Sequence, residues 1–210
     1  MAEKLRINEI AVADTPQAWR AAGFHVDDDR VVIGESFVIR LTGEGGGISG
    51  FTLGIPERVD SSETNSGGLS LTIAPPSVPD DVGLHENGVT HAMKAVVLTA
   101  ETAASIERLQ QAVPELGGPP VDGHDESGTH YAIWPLAGTE VGLEVVSLSR
   151  DQGPDVMLAL FLVVDDLKAT IDRIGANDVG PIEIYSGREM VRIKPRIGVT
   201  AGIHLLSKAD

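Results

Sequence analysis

The chain repeats itself. Gly142-Leu143-Glu144-Val145-Val146-Ser147 returns further along as Gly202-Ile203-His204-Leu205-Leu206-Ser207. Each copy closes a stretch that opens with an apolar strand and continues into a short helix. The first opening strand is residues 94–98, Lys-Ala-Val-Val-Leu, followed by a helix over 99–109; the second is the almost purely aliphatic 157–164, followed by 165–174. A repeat at this period means duplicated supersecondary units, none of which buries its apolar face alone. The chain is thereby committed to strand-helix-strand modules packed side by side.

Charge and composition then remove whole classes of function. A formal net charge of -15, from 31 acidic against 16 basic residues, repels a phosphate backbone and an anionic leaflet alike, so neither nucleic acid nor membrane is an expected partner. No cysteine is present, which excludes disulfides, thiolate nucleophiles and cysteine-ligated metals and fits a cytoplasmic setting. The longest apolar run, 156–164, is far short of the roughly 18 to 20 residues that span a bilayer. The amino terminus, Met1-Ala2-Glu3-Lys4-Leu5-Arg6, has no basic segment followed by an apolar stretch, so no secretion signal is visible.

The first unit opens with a strand at residues 5–13 that runs into Asp14-Thr15-Pro16. This is a helix start: a side-chain oxygen caps the free backbone donors, and proline takes a position where no donor is lost. Residues 17–22 form a short helix ended by Gly23. Residues 30–33, 35–41 and 48–55 follow as strands, giving the order β-α-β-β-β. Residues 57–89 are rich in Ser, Pro, Gly and Asp and read as a linker with a short strand at 69–74. The second unit has its helix at 101–113, with Ala104, Ile106, Leu109 and Val113 as the apolar stripe, and later strands at 129–136 and 141–147. In the third, Asp165 and Asp166 are placed to cap, Leu167, Ile171 and Ile174 form the stripe, and Gly175 stops the helix before strands at 182–185, 189–194 and 202–207. The expected organisation is an N-terminal module over 1–56, the linker over 57–89 and paired modules over 90–210.

Three such units in an acidic, cysteine-free chain resemble the vicinal oxygen chelate superfamily, the glyoxalase and bleomycin-resistance fold. The resemblance is carried by Leu5-Arg6-Ile7-Asn8-Glu9-Ile10-Ala11-Val12-Ala13-Asp14 leading into Ala18-Trp19-Arg20-Ala21-Ala22-Gly23-Phe24, by His85-Glu86-Asn87-Gly88-Val89-Thr90, by Gly142-Leu143-Glu144-Val145 and by Val163-Val164-Asp165-Asp166-Leu167. The chain looks most like the glyoxalase-like proteins of actinobacteria. The resemblance implies an α+β fold in which repeated βαβββ modules, here three, form curled mixed sheets around an open half-barrel. It also implies a divalent metal held by a His or Gln early in each opening strand and a Glu in each closing strand.

Carried onto this sequence, those positions are Lys94 and Ala159 for the openings and Glu144 and His204 for the closings, with Glu9 and Thr52 from the first unit. Lysine is a cation with no acceptor and alanine has no ligand atom, so only Glu144 and His204 remain as ligands unless His130 or a carboxylate joins them. Catalytic sites usually keep at least three protein ligands. The expectation is therefore a cavity with no cofactor. In it Lys94 either neutralises Glu144, standing where the metal would stand, or lays its stem along the surface with its ammonium in water. Glu144 alternates with Leu143 and Val145, and His204 with Ile203 and Leu205, which places both on the cavity face if their neighbours face the helices.

His130 and Trp134 share one face of their strand and are candidates for lining a pocket for a planar ligand, although an aromatic in such a place is more often simply core. His25, His85, His91 and His124 fall in turn or linker contexts and read as surface residues, and Asp27-Asp28-Asp29 as a polar turn lacking the spacing of a calcium loop. Arg188, Arg192, Lys194 and Arg196 are the densest basic cluster; Arg192 and Lys194 alternate onto one face, where they can grip a carboxylate or phosphate or else pair with surface carboxylates. Gly43-Glu44-Gly45-Gly46-Gly47 lacks the Gly-Lys-Ser/Thr ending of a phosphate loop and is a turn. No serine-hydrolase elbow or zincin helix occurs.

Two functions stay open. One is an enzyme of lyase, isomerase or cyclase type moving a proton on a small molecule, with Glu144 and His204 as base and acid, Lys94 tuning one of them, and His130, Trp134 and Arg192 binding substrate. The other is a protein that sequesters a hydrophobic compound, as drug-resistance members of the superfamily do. The pairing of units two and three leaves the first unit to cover a sheet edge or to meet its counterpart in a homodimer, which is the expected assembly.

Overall fold

The computed structural model describes residues 5–35, 37–43, 45–77, 83–125, 128–136, 141–147 and 154–209; the extreme amino terminus and Glu44 of the glycine-rich turn lie outside these. Two mixed sheets carry the fold. The first is built from β1 (Arg6–Val12), β2 (Arg30–Ile33), β3 (Phe37–Leu41), β4 (Ile48–Gly54), β5 (Ser62–Ser66) and β6 (Leu69–Ala74), with the short helix α1 (Pro16–Ala21) after β1. The second holds β7 (Val89–Thr99), β8 (Val121–His124), β9 (His130–Pro135), β10 (Gly142–Ser147), β11 (Val156–Val164), β12 (Glu183–Tyr185), β13 (Arg188–Arg192) and β14 (Gly202–Leu206). Helix α2 (Thr102–Ala112) follows β7 and α3 (Leu167–Ile174) follows β11.

Both sheets are made the same way. In the eight-stranded sheet the order is β12-β13-β14-β11-β7-β10-β9-β8, with β11 and β7 antiparallel at the centre and each flanked by a parallel partner, β14 and β10. In the six-stranded sheet the order is β2-β3-β1-β4-β6-β5, again with an antiparallel central pair, β1 and β4, each beside a parallel partner, β3 and β6. The result is an α+β fold of repeated units in curled mixed sheets that form a half-barrel.

This pairing changes the place of β4. Its sequence reads as the last strand of the first unit, but it lies antiparallel to β1 and parallel to β6, so it opens a helix-less β-β-β unit of its own. The segment 57–89 accordingly supplies two strands, β5 and β6, where its composition suggested one. The unpaired first unit that suggested a dimer finds its partner within the chain.

Local signals act where they stand in the sequence. Thr15 caps α1, with Pro16 in its first turn, and Asp166 caps α3, its side chain accepting from Ala169 N. Asp14 does something else: buried, it accepts from Trp19 Nε1 at 3.0 Å and from the backbone N–H groups of Thr200 and Ala201, tying the first unit to the entry of β14. A continuous core joins the two sheets, including Ile10, Trp19 and Leu53 from one and Val97, Leu143, Leu160 and Leu205 from the other. A second, smaller cluster of Val96, Ala159, Phe161, Met190 and Leu206 lies on the opposite face of the eight-stranded sheet. Among the described residues no helix is long and apolar enough to cross a membrane.

Candidate active site

Alternation decides which side chains reach that second face. Ala95, Val97, Leu143, Val145, Leu160, Ile203 and Leu205 belong to the main core, so the residues between them point the other way. Lys94 on β7 stands opposite Phe161 on β11, Phe161 opposite His204 on β14, and His204 opposite Arg192 on β13, a single row across neighbouring strands. Gly142 lies beside Lys94 and Gly202 beside Ala159, so the sequence repeat equates Lys94 with Ala159 and Glu144 with His204. A register shift leaves Met93 as an extra residue on β7, between the pairs Lys94↔Phe161 and Ala92↔Leu162. Such a bulge re-aims side chains, and Met93 joins the inner cluster next to Lys94.

The Lys94 ammonium is the centre of the arrangement. The residue is only 4% exposed, and a charge so buried persists only when paired and hydrogen-bonded. Its Nζ donates to Glu144 Oε2 and to Tyr185 Oη. It also lies 4.6 Å from the ring centroids of both Phe161 and Tyr185, a cation held over two aromatic faces. Because Tyr185 accepts from Lys94, its own O–H remains free to donate. Glu144 presents Oε2 to Lys94, which leaves Oε1 for other chemistry.

His204 stacks flat on Phe161, with 4.5 Å between centroids and 6° between planes. Burial first, then the charges of Arg192 and Lys94, push its pKa down from 6.5 to about 4, so the imidazole is neutral at neutral pH. Its Nδ1 is buried without a partner among the described residues, which leaves Nε2 as the nitrogen able to serve the adjoining space. That space is a cavity of about 380 Å³ lined by His204, Arg192, Ile193, Lys194 and Pro195 from β13, β14 and the turn between them, and by Gly180, Pro181 and Glu183.

The structure thus brings Glu144, His204, Lys94 and Arg192 to one face. It does not bring His130 or Trp134 there. Trp134 stands opposite Leu143, is buried in the main core and donates from Nε1 to Gly118 O at 3.3 Å. His130 lies at the far edge of the sheet, its Nε2 2.6 Å from Asp122 Oδ1 and its ring stacked on His124 at 4.8 Å. Phe161, Tyr185 and Met190 enter the site without any sequence signal that separates them from ordinary core. His85, expected at the surface, is buried: its Nδ1 accepts from His25 N at 3.0 Å, its Nε2 contacts Val32 O at 2.9 Å, and desolvation lowers its pKa.

No family model matches the sequence, and no curated protein matches it either. Solved structures do. A variant of 4-hydroxymandelate synthase from Streptomyces coelicolor is similar over 99% of this chain and 93% of its own, at 10% identity and a TM-score of 0.61. Catechol 2,3-dioxygenase is similar over the same shares, at 10% identity and a TM-score of 0.57. Methylmalonyl-CoA epimerase from Mycobacterium tuberculosis covers 59% of this chain at 16% identity, with a TM-score of 0.47.

These comparisons correct the expectation of a cavity that takes no cofactor, because 4-hydroxymandelate synthase and catechol dioxygenase share the fold and are metal-dependent. Among the described residues no three His, Asp or Glu side chains converge. Glu144 is engaged by an ammonium, Ala159 offers no donor, and Glu9, which faces Thr52 on the other sheet, pairs with Arg40 at 2.7 Å. This donor set does not fit the superfamily's metal centre. At the level of architecture, which is what such likeness establishes, the chain has the fold of the vicinal oxygen chelate superfamily.

Proposed function

We propose that the protein is an enzyme that moves a proton on a small organic molecule, a reaction of lyase, isomerase or cyclase type, on the inner face of the eight-stranded sheet. The observation that carries this reading is the buried Lys94 ammonium clamped between Glu144 and Tyr185, in the same cross-strand row as a neutral histidine that borders a cavity. A pair that costs desolvation adds little to stability over an apolar pair of the same volume, so its placement on the face that carries the cavity-lining His204 speaks for chemistry.

In this reading Glu144 Oε1 accepts a proton from the substrate. Neutral His204 donates from Nε2 to the substrate oxygen on which charge develops, and the Tyr185 hydroxyl assists it. Lys94 holds Glu144 in place and lends its positive charge to the developing anion, a preorganised electrostatic contribution that needs no rearrangement during reaction. Arg192 binds the substrate from the side of β13. Sequestration without chemistry is the second reading, favoured by the apolar cluster of Val96, Phe161, Met190 and Leu206 on the same face.

The two are separated by proton exchange. The protein is incubated in D2O with a panel of small carbonyl compounds bearing α-hydrogens, and loss of the α-proton signal is followed by NMR. Catalysed exchange on at least one compound, abolished in Glu144→Gln and His204→Gln, supports the enzyme. Binding of panel compounds without exchange supports sequestration.

A further inference from the structure

Resting on that reading of the site, we infer that its substrate carries an acid group, a carboxylate or a phosphate, that docks on Arg192 beside His204, with an apolar body lying toward Phe161 and Tyr185. Charge is the first ground. In a chain of net charge -15, the strand and turn that border this cavity carry Arg192 and Lys194. Lys194 Nζ donates to a backbone oxygen, Asn177 O at 2.9 Å, and so keeps its charge uncompensated. Arg196 is satisfied by Asp178 at 3.0 Å. Arg192 makes no side-chain hydrogen bond or ion pair among the described residues, yet it lines the cavity. Glu183 is the one carboxylate among the lining residues.

An unpaired guanidinium presents a planar fork of donors that matches two oxygens of a carboxylate or phosphate. Next to it, His204 has one nitrogen sealed and one left to the cavity, and as a neutral ring it donates to a third oxygen of the same ligand or to a neighbouring carbonyl. Size follows from the sheet. Arg192 and Lys94 lie on strands three spacings apart, roughly 14 Å at about 4.8 Å per spacing, less the lengths of both side chains. A ligand anchored at Arg192 therefore reaches the Lys94–Glu144 pair only if a ring or short chain separates its acid group from its reacting atom. Between Arg192 and that pair stand His204, Phe161 stacked on it and Tyr185 tilted against Phe161, with Met190 and Leu206 in the same apolar cluster.

The test uses the intact protein and probes that share one ring: benzoate, phenyl phosphate and the uncharged benzamide, with binding read by calorimetry and by His204 ring shifts. The expected result is that one of the two acids binds at least tenfold more tightly than benzamide and that Arg192→Gln removes this preference while leaving benzamide binding unchanged. The acid that binds tighter identifies the group as carboxylate or phosphate. Arg192→Lys, which keeps the charge and loses the fork, is expected to lie between the two. Equal binding of the acids and the amide, or a preference that survives Arg192→Gln, overturns the inference. Its failure is distinct from failure of the enzyme reading: exchange on an uncharged carbonyl compound without acid preference refutes the anchor alone, and acid preference without exchange refutes the chemistry alone.

Discussion

Replacing Lys94 by methionine keeps most of its volume and removes the one cation that Glu144 has. Glu144 is 8% exposed, its neighbours on that face are apolar, and no other positive side chain hydrogen-bonds to it among the described residues. Breaking a buried ion pair by removing one partner costs about 3 to 5 kcal/mol, because the remaining charge is left desolvated. Loss of the cation over Phe161 and Tyr185 adds to this in the same direction. For a chain of this length each kcal/mol moves the melting temperature by about 2 to 4 °C, so Lys94→Met is expected to melt about 6 to 20 °C lower. The double variant Lys94→Met with Glu144→Leu replaces the pair with apolar volume and is expected to return to within about 1 kcal/mol of the parent, or above it. Urea midpoints for the parent, both single variants and the double variant give the coupling directly. A single-variant loss below about 1 kcal/mol, the value of a solvated surface pair, together with no coupling, would refute the description of this pair as buried and mutually dependent.

Other predictions follow from the same geometry. The His204 imidazole should titrate near pH 4 by NMR, and Arg192→Gln should raise that value by removing a neighbouring positive charge; a value at or above 6.5 would contradict the account. Since the unfolded chain takes up this proton near pH 6.5 and the folded chain only near 4, the contribution is intact above 6.5 and lost as pH falls between the two, amounting to about 3 kcal/mol. His204→Gln should lack that part of the acid destabilisation in denaturation curves. His85, also held below its ordinary pKa by burial, should add acid sensitivity of the same sign, seen as a flatter stability profile below pH 6.5 in His85→Gln than in the parent. Asp14→Ala leaves the N–H groups of Trp19, Thr200 and Ala201 without their acceptor and should cost at least about 3 kcal/mol by urea unfolding, whereas Asp27→Ala, on an exposed turn, should cost under about 0.5 kcal/mol.

The shared face of Glu144 and His204 was legible in the sequence because two short runs, Gly142-Leu143-Glu144 and Gly202-Ile203-His204, place a polar residue between apolar ones, and strand alternation does the rest. The same rule could not say which face of β9 holds the cavity: His130 and Trp134 share a side, and only pairing with β10, Trp134 opposite Leu143, shows that side to be the core. Phe161 was hidden because an aromatic inside an aliphatic run looks like any core residue. Tyr185 was hidden because its meaning depends on the chain folding back until a residue ninety-one positions away meets Lys94. β4 was misassigned for a related reason: with no helix after it, nothing local marks the start of a unit, and its antiparallel pairing with β1 is settled only by tertiary structure. His85 was read from its Pro- and Gly-rich surroundings, which describe the backbone around it and not the buried acceptor role its ring fills.

The most direct test of the central claim, that the inner face of the eight-stranded sheet is where ligand binds and reacts, is chemical-shift mapping with the panel compound that binds most tightly. The account predicts perturbations concentrated on Lys94, Glu144, Phe161, Tyr185, Arg192 and His204, and lost in Lys94→Met. Perturbations centred instead on Glu9 and Arg40 of the six-stranded sheet, or on His124 and His130 at the far edge, would contradict it.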